Sequence, residues 1–277
     1  MINTFKNFLN YNKKFLNMNV IHIPALEDNY MYLVIDEETK DCFAIDPVEA
    51  PKVIETIKNS NLNLMGILTT HHHLDHSGGN QEMHKNFPNI PIYRGNSDKV
   101  NLSSDTIVND RQVLKLGNNV TIECIATPCH TLDHICYQAK YKNESAVFTG
   151  DTMFLAGCGK FFEGNPSQMY TALIEKLSKL PDETKVYCGH EYTQSNLKFA
   201  AHIEPDNKDI LARIEKVDQL RKSNLPTIPG TIREEKLTNP FMRVDEQIMR
   251  EKYPSIDGIQ IMQFLRKAKD IFKANEN

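Results

Sequence analysis

The sequence has no Cys-x-x-Cys pair, and its six cysteines are scattered along 277 residues. Cysteines spaced in this way are typical of core thiols in a reducing compartment, which argues against a disulfide framework. No apolar run approaches the roughly 20 residues that cross a bilayer. An excess of basic residues is also missing, because the formal net charge is −4. We therefore predict a cytoplasmic monomer without a membrane or nucleic-acid partner.

Residues 1–17 contain three lysines and no acidic residue, with apolar side chains between them. A basic, acid-free segment resembles an organelle-targeting presequence, so import into a mitochondrion or plastid is the alternative to the cytoplasm. The segment lacks serine and arginine, however, and asparagine and lysine are frequent throughout the chain. An extension that is disordered or docked on the fold is the preferred interpretation.

The densest group of possible metal ligands is the segment 70–76, Thr-His-His-His-Leu-Asp-His, which holds four of the ten histidines. An apolar, β-prone stretch precedes it, which predicts a loop at the end of a strand and argues against an expression tag or a surface accident. Alternate residues of such a loop point the same way, so His71 and His73 converge on one point. Asp75 and His76 face a second point nearby. Nitrogen and oxygen donors without sulfur suit zinc or a similar divalent metal.

Three more predicted strand ends carry possible ligands: His130, Asp151 and His190. Each residue is weak evidence for a metal site when taken alone, because a lone histidine near a strand end is more often structural. Loops at the ends of sheet strands can nevertheless bring distant residues together, since the strands hold the loops rigidly. Together with segment 70–76, these residues indicate one metal site.

Short β-rich segments alternate with helical patterns up to about residue 190, and helical patterns dominate after it. Strands are predicted at 20–23, 30–35, 42–45, 64–69, 92–93, 107–108, 113–116, 120–125, 135–137, 146–149 and 185–188. Helices are predicted at 51–60, 80–87, 167–180, 195–203, 206–223 and 256–273, with a proline-containing loop over 225–240. Many strands with helices between them predict two sheets sandwiched by helices.

The sequence resembles the metallo-β-lactamase superfamily, whose HxHxDH signature is present at residues 71–76. More narrowly, residues 18–273 are similar to the glyoxalase II (hydroxyacylglutathione hydrolase) family. The similarity rests on DNYMYL (28–33), TPCHT (127–131), FTGDT (148–152), AGCGKF (156–161), CGHEYT (188–193) and NPFMR (239–243). It implies an α/β fold: an αββα four-layer catalytic sandwich in residues 18–190 after the extension 1–17, followed by a smaller all-α substrate-binding domain in residues 191–277.

The resemblance also implies two divalent metal ions, with zinc favoured over iron or manganese. One metal is assigned to His71, His73 and His130; the other is assigned to Asp75, His76 and His190, and Asp151 bridges the two. Asp75 and Asp151 are then the catalytic carboxylates, acting with a hydroxide shared by the metals. A structural role is expected for His72, and His134 is expected to support the ligands or to pack in the core. His22, His84 and His202 receive no role.

The implied reaction is hydrolysis of S-(2-hydroxyacyl)glutathione, typically S-D-lactoylglutathione, to glutathione and a 2-hydroxy acid such as D-lactate, the second step of methylglyoxal detoxification. A serine nucleophile is not required, in agreement with the absence of a Gly-x-Ser-x-Gly turn. A thiolate leaves with little protonation, because the pKa of its conjugate acid is about 8.5. The implied substrate contacts are Lys160, Phe161, Phe162, His190, Glu191, Tyr192, Arg266 and Lys269. Without the resemblance, Arg266 and Lys269 would fit a solvated basic helix end.

Two departures from the family are present. Phe162 stands where tyrosine is common, and Leu132-Asp133 replaces a small pair that usually ends in glycine. One alternative is a persulfide dioxygenase of the same superfamily, which needs a single iron. A β-lactamase or nuclease fits the helical C-terminal segment less well. A non-catalytic metal-binding protein would not require the whole ligand set.

Overall fold

The computed structural model describes residues 18–97, 99 and 105–272, so the predicted targeting segment 1–17 lies outside the described residues. Two six-stranded sheets and a small two-stranded sheet are described. The first sheet has the order β1 (Met18–Ala25), β2 (Asn29–Asp36), β3 (Asp41–Ile45), β4 (Asn63–Leu68), β5 (Ile92–Arg94) and β6 (Asp105–Ile107).

The second sheet lies further along the chain and begins with an antiparallel meander. Its strands are β7 (Val113–Leu116), β8 (Val120–Ala126), β9 (Ile135–Tyr141), β10 (Glu144–Gly150), β13 (Lys185–Cys188) and β14 (Gly230–Thr231). Strand β13 lies between β10 and β14, so the spatial order is β14-β13-β10-β9-β8-β7. The short hairpin β11 (Met153–Phe154) and β12 (Gly157–Cys158) forms the third sheet.

Helices cover the sheets and form most of the C-terminal region. They are α1 (Ala50–Asn59), α2 (Leu74–Ser77), α3 (Asn80–Asn86), α4 (Pro166–Tyr170), α5 (Thr193–Ile203), α6 (Lys208–Lys222), α7 (Ile232–Thr238), α8 (Gln247–Lys252) and α9 (Gly258–Ile271). The predicted helix 167–180 changes type along its length: α4 continues as a π-helix at Thr171–Lys176 and a 3₁₀ turn at Leu177–Lys179. Among the described helices, none has the length and apolar character to cross a membrane.

Strand β2 shows why the sheets are layered between helices, because all eight of its residues are buried. Side chains alternate between the two faces of a strand. Tyr32 and Val34 pack into the core that contains the second sheet. Leu33 and Ile35 pack on the other face, with Val53 of helix α1. A strand that is apolar on both faces must be covered on both sides, which produces the predicted αββα arrangement.

The prediction of a continuous loop over 225–240 was wrong for residues 230–238. Strand β14 pairs antiparallel with β13, Lys185 opposite Thr231. Helix α7 follows at once, and Thr231 and Glu234 form a capping box at its start. That Thr-x-x-Glu pattern is readable in the sequence. The chain beyond residue 190 therefore contributes a strand to the second sheet, while the division into two domains remains a prediction.

Candidate metal centre

The predicted ligands lie on loops that leave the two sheets at one edge. Backbone hydrogen bonds join these loops: the amide of Ile135 donates to the carbonyl of Thr70 at 2.8 Å, and that of Gly189 donates to Gly150 at 2.9 Å. The amide of Tyr30 donates in turn to the carbonyl of Gly189 at 2.9 Å. Ligand loops far apart in sequence are thus fixed against one another by main-chain contacts.

His71, His73 and His130 form the first donor group. Nε2 of His71 lies 3.0 Å from Nδ1 of His73, and Nε2 of His130 lies 3.1 Å from the same atom. Ligands bound tetrahedrally at about 2.0–2.1 Å are separated by about 3.3 Å. The three nitrogens therefore have the spacing of ligands to one metal ion.

Asp75, His76 and His190 form the second donor group, and helix α2 places the first two side by side. Nε2 of His190 lies 3.4 Å from Oδ2 of Asp75 and 3.3 Å from Nε2 of His76. Nε2 of His76 lies 3.7 Å from Oδ2 of Asp75. This spacing also suits a single ion.

Asp151 lies between the two groups and is buried. One carboxylate oxygen is 3.3 Å from Nε2 of His76. The other is 3.5 Å from Nε2 of His130 and 3.4 Å from Nε2 of His190. A carboxylate in contact with donors of both groups has the position of a bridging ligand. The donor set, made of imidazoles and carboxylates, therefore fits two neighbouring divalent ions.

Nδ1 of His76, the ring nitrogen that faces away from the donor group, contacts a carboxylate that the sequence did not predict to be part of the site. Nδ1 of His76 lies 2.8 Å from Oδ2 of Asp46, a buried residue at the end of β3. The same carboxylate accepts hydrogen bonds from the amide and the hydroxyl of Thr70 at 2.8 and 2.7 Å. A carboxylate on the outer nitrogen directs the lone pair of Nε2 toward a metal.

Two further predicted ligands are oriented in the same way. Nδ1 of His190 lies 2.8 Å from Oδ1 of Asp28, and Nδ1 of His130 lies 2.9 Å from the carbonyl of Lys160. In each case the Nδ1 proton has an acceptor, so Nε2 is the atom available to a metal. Asp28 belongs to the DNYMYL segment, but its role could not be derived from the sequence alone.

His134 belongs to neither donor group, and it supports Asp151 by contacting the backbone of that residue. Its Nε2 accepts a hydrogen bond from the amide of Asp151 at 3.1 Å, and its Nδ1 lies 2.9 Å from the hydroxyl of Thr127. Gly150 allows this close approach: its φ is +44°, and an added Cβ would lie 2.5 Å from the Thr70 hydroxyl. A side chain at this position would displace the loop that carries Asp151.

In the second donor group and Asp151, the negative carboxylates and the positive histidines stabilise one another's charged forms. Burial opposes ionisation of Asp151, yet His76 and His190 hold the pKa of this carboxyl well below its usual range. Burial likewise opposes protonation of His190, but hydrogen bonds to Asp151 and Asp75 raise its pKa to about 10. The pKa of His76 is raised in the same sense by Asp151 and Asp46 against the effect of burial. In the first group, burial lowers the pKa of His71.

Zinc binding by the metal-free protein at pH 7.5 is therefore expected to release protons, with His76 and His190 among their sources, because a metal requires the unprotonated ring nitrogen. Calorimetric titration in buffers of different ionisation enthalpy measures the number of protons released. The His190→Gln variant should release fewer protons than the native protein. A binding enthalpy that does not change with the buffer would contradict the expectation.

The predicted substrate contacts lie on both sides of the metal centre. The Phe162 ring centroid is 5.1 Å from that of His130, and Tyr192 stacks on His190 at 4.7 Å. Lys160 is exposed. The carboxylate of Glu191 is occupied within the protein, since it accepts hydrogen bonds from Tyr30 at 2.7 Å and from the amide of Thr227 at 2.8 Å.

Arg266 and Lys269 lie on helix α9. Arg266 is buried and donates to the carbonyl of Cys158 at 2.8 Å, so it holds the segment beside the metal loop. Lys269 donates to the carbonyl of Ser195 at 3.0 Å and lies over the ring of Phe199. Arg266 is thus packed against β12 and Lys269 against helix α5, which is not the setting of a solvated helix end.

His72 does not face the metal centre. Its Nδ1 lies 2.8 Å from Oδ1 of Asp133, and its Nε2 lies 3.6 Å from Oε1 of Glu163. Asp133 is one of the residues that depart from the family pattern, and it pairs with a histidine 61 positions away. Sequence reasoning could not find this pairing, because neither residue belongs to a spacing pattern.

The paired sheets, the outer helices and the cluster of histidines and aspartates define a class of protein. Residues 27–190 match the metallo-beta-lactamase superfamily, and the chain is a member of that superfamily. Residues 191–272 match the family described as Hydroxyacylglutathione hydrolase C-terminus. The chain is also 47% identical over 255 residues to "Hydroxyacylglutathione hydrolase cytoplasmic" of Arabidopsis thaliana, covering 91% of this chain and 98% of the relative. The chain therefore belongs to the hydroxyacylglutathione hydrolase family.

Solved structures share the fold. ETHE1 from Myxococcus xanthus is similar with a TM-score of 0.62 and 24% identity, covering 91% of this chain and 97% of that protein. TTHA1623, whose crystal structure is in a di-iron-bound form, is similar with a TM-score of 0.56 and 21% identity, covering 80% and 99%. At these identities the likeness shows the fold alone.

Proposed function

We propose that the protein is a hydroxyacylglutathione hydrolase that cleaves S-(2-hydroxyacyl)glutathione thioesters, S-D-lactoylglutathione among them, to glutathione and a 2-hydroxy acid. The observation that carries this proposal is the position of Asp151 between two complete donor groups. The name of the Arabidopsis relative supports the same reaction. The proposed metal ligands are His71, His73, Asp75, His76, His130, Asp151 and His190.

Two divalent ions held by these ligands would supply a water of lowered pKa and Lewis acidity at the thioester carbonyl. The chain contributes the geometry and the charge. Asp151 and Asp75 remain ionised because their neighbouring histidines lower the pKa of both carboxyls. The side chain of Asp75 is 41% exposed, which places the open side of the site at this residue. A thiolate leaves without a protein acid, so none is required.

The metal ions are proposed to be zinc, because imidazole and carboxylate donors at tetrahedral spacing are typical zinc ligands. The alternative with a single iron would not need Asp75, His76 and His190 as a separate group. The ligand atoms of these three residues lie 3.3–3.7 Å from one another, which is the spacing of ligands to a single ion. Their convergence favours two metals.

The central experiment is turnover of S-D-lactoylglutathione by purified protein, with metal analysis of the same sample. We expect release of free thiol with about two metal ions per chain. Protein that is loaded with two metals and does not cleave the thioester would refute the proposal. One iron per chain, no thiol release from S-D-lactoylglutathione and oxygen consumption with glutathione persulfide as the substrate would favour the persulfide dioxygenase.

Lys269 is proposed to bind a carboxylate of the glutathione part. Burial, together with neighbouring Arg266, lowers the pKa of Lys269 to about 8. Its charge is therefore present below pH 8 and is lost above it, so KM is expected to rise about 2- to 10-fold between pH 7 and pH 9. Steady-state kinetics over this range measure the rise. In the Lys269→Arg variant the charge persists, and KM should not change with pH. An equal rise of KM in both proteins would contradict a role for Lys269 in binding the substrate carboxylate.

The cytoplasm is the proposed compartment, and the word "cytoplasmic" in the name of the Arabidopsis relative supports it. Import directed by residues 1–17 remains the alternative prediction. A fluorescent reporter fused to these residues tests it: a diffuse signal agrees with the cytoplasm, and an organelle pattern contradicts it.

A further inference from the structure

His73 differs from the other predicted histidine ligands in the way its ring is held. The outer ring nitrogen of each of the others has an oxygen partner: Thr70 for His71, Asp46 for His76, the Lys160 carbonyl for His130 and Asp28 for His190. Nδ1 of His73 faces the first donor group, and in the part of the chain that the structure describes its Nε2 has no hydrogen-bond partner. Contacts with neighbouring rings therefore have to orient His73.

The ring of His72 packs against that of His73. The two ring centroids are 5.0 Å apart and the ring planes meet at 73°. Phe162 also contacts His73, at 5.8 Å, but this side chain is largely exposed. The side chain of His72 is only 10% exposed. In a closely packed interior, a ring that is itself fixed restricts the rotation of the ring that it contacts.

Two carboxylates fix the His72 ring. Its Nδ1 lies 2.8 Å from Oδ1 of Asp133, and its Nε2 lies 3.6 Å from Oε1 of Glu163. The side chain of Asp133 is 2% exposed, so water does not compete for the shorter contact. A hydrogen bond to a charged group is stronger than one between neutral groups. We call His72, Asp133 and Glu163 the histidine clamp.

The three side chains of the clamp could also hold a metal ion, because one donor atom from each lies within 4.8 Å of the others. The geometry favours the clamp. The two carboxylates face different nitrogens of one ring, whereas an ion would be bound by a single nitrogen of that ring together with both carboxylates. The ammonium group of Lys99 also contacts the Glu163 oxygen that faces His72, so this carboxylate already has a cation.

The backbone of Asp133 gives the clamp a firm base. A Cβ added to Gly95 would lie 1.8 Å from the carbonyl oxygen of Asp133, which shows how closely the two segments approach. Asp133 is also three residues beyond the ligand His130. Glycine is usual at position 133 in the family that the sequence resembles, so the carboxylate of the clamp is a feature of this chain.

We propose that Asp133 is a positioning residue of the metal centre: by holding the His72 ring, it keeps the His73 ring turned toward the other donors of the first group. The proposal rests on the proposed function, because it takes His73 as a metal ligand. Loss of a contact that orients a metal ligand lowers metal affinity about 10- to 100-fold. Since Asp133 acts through one further ring, we expect a loss at the lower end, about 10-fold.

Competition with a zinc-binding dye measures the affinity. The His190→Gln variant is the background, because its second donor group lacks one ligand and bound zinc then reports mainly on the first group. In this background Asp133→Ala should bind zinc about 10-fold more weakly. Asp133→Leu, which fills a similar space without an acceptor, should show the same loss. Asp133→Asn should stay within about threefold of the background, because its amide oxygen can still accept from Nδ1 of His72.

Glu204→Ala is the matched control. Glu204 is also a buried carboxylate, with 2% of its side chain exposed, and it accepts hydrogen bonds from Arg243 at 2.8 and 2.9 Å away from the ligand loops. Urea unfolding of the metal-free proteins should show a loss of stability in this control, while its zinc affinity stays that of the background. A purely structural role of Asp133 would give the same result for Asp133→Ala.

The proposal would be overturned if Asp133→Ala and Asp133→Leu bound zinc as tightly as the background, and the proposed function would still stand. An equal loss of affinity in Asp133→Asn and Asp133→Ala would also contradict it, because the hydrogen bond would then not be what holds the ring. A third zinc ion per chain that disappears in Asp133→Ala would make the clamp a metal site instead. Native protein that binds no zinc or other divalent metal would refute the proposed function itself.

Discussion

Replacing Asp151 with asparagine is expected to lower kcat/KM by well over 100-fold and to leave fewer than two metal ions per chain. The carboxylate contacts His76 and His190 in one group and His130 in the other. An amide of the same size keeps the packing but removes the negative charge that two cations require. Loss of an outer partner of a metal ligand already costs about 10- to 100-fold, and a bridging ligand should cost more.

Kinetics and metal analysis of dialysed Asp151→Asn protein measure both effects. Asp182→Asn is the matched control, because Asp182 is a half-exposed carboxylate paired with Lys236 at the surface, 2.7 Å away. The control should retain full activity and both metals. If Asp151→Asn bound two metals as tightly as the native protein and kept its activity, Asp151 would not be a bridging ligand.

The first donor group is the part of the site that could be predicted most directly from sequence. His71 and His73 follow an apolar strand in an alternating pattern, and this local signal predicts their convergence. The sequence evidence for His130, Asp151 and His190 was weaker, because each residue follows a separate strand. Pairing of β8, β9, β10 and β13 within the second sheet, and contacts between the two sheets, bring them together.

The features that sequence reasoning missed depend on contacts between distant residues. Strand β14 has only two residues and exists through its pairing with β13. Asp46 carries no motif of its own, and its partner His76 lies 30 positions further along the chain. A local pattern cannot report such a contact, since the pattern describes a residue's neighbours in sequence only.

Asp46 nevertheless holds the centre of the site together. Its carboxylate accepts hydrogen bonds from the amide and hydroxyl of Thr70, the residue before the first ligand, and it lies 2.8 Å from Nδ1 of His76. The backbone of Asp46 has a φ of +48°, which turns the chain after β3 and directs the carboxylate toward segment 70–76. One buried side chain therefore fixes both the backbone entry to the loop and the orientation of a ligand.

The Asp46→Asn variant is expected to bind zinc about 10- to 100-fold more weakly than the native protein. Asparagine has one acceptor oxygen, so it cannot accept from the Thr70 amide at the Oδ1 position and from His76 at the Oδ2 position together. With its NH2 group toward His76, the ring loses the acceptor that keeps its proton on Nδ1. The proton can then occupy Nε2, which removes the lone pair from the metal. Competition with a zinc-binding dye measures the affinity, and urea unfolding of the metal-free protein measures stability. The Asp46→Ala variant, which leaves the buried donors without a partner, should lose about 3–5 kcal/mol of unfolding free energy.

Asp28→Asn is the matched comparison, because Asp28 holds Nδ1 of His190 at 2.8 Å but its side chain is 40% exposed. Water can replace a carboxylate at an exposed position, so this variant should weaken zinc binding less and leave the metal-free protein as stable as the native one. If the Asp46→Asn variant bound zinc as tightly as the native protein, Asp46 would have no role in metal binding. A stability loss without a loss of affinity would reduce its role to the turn after β3.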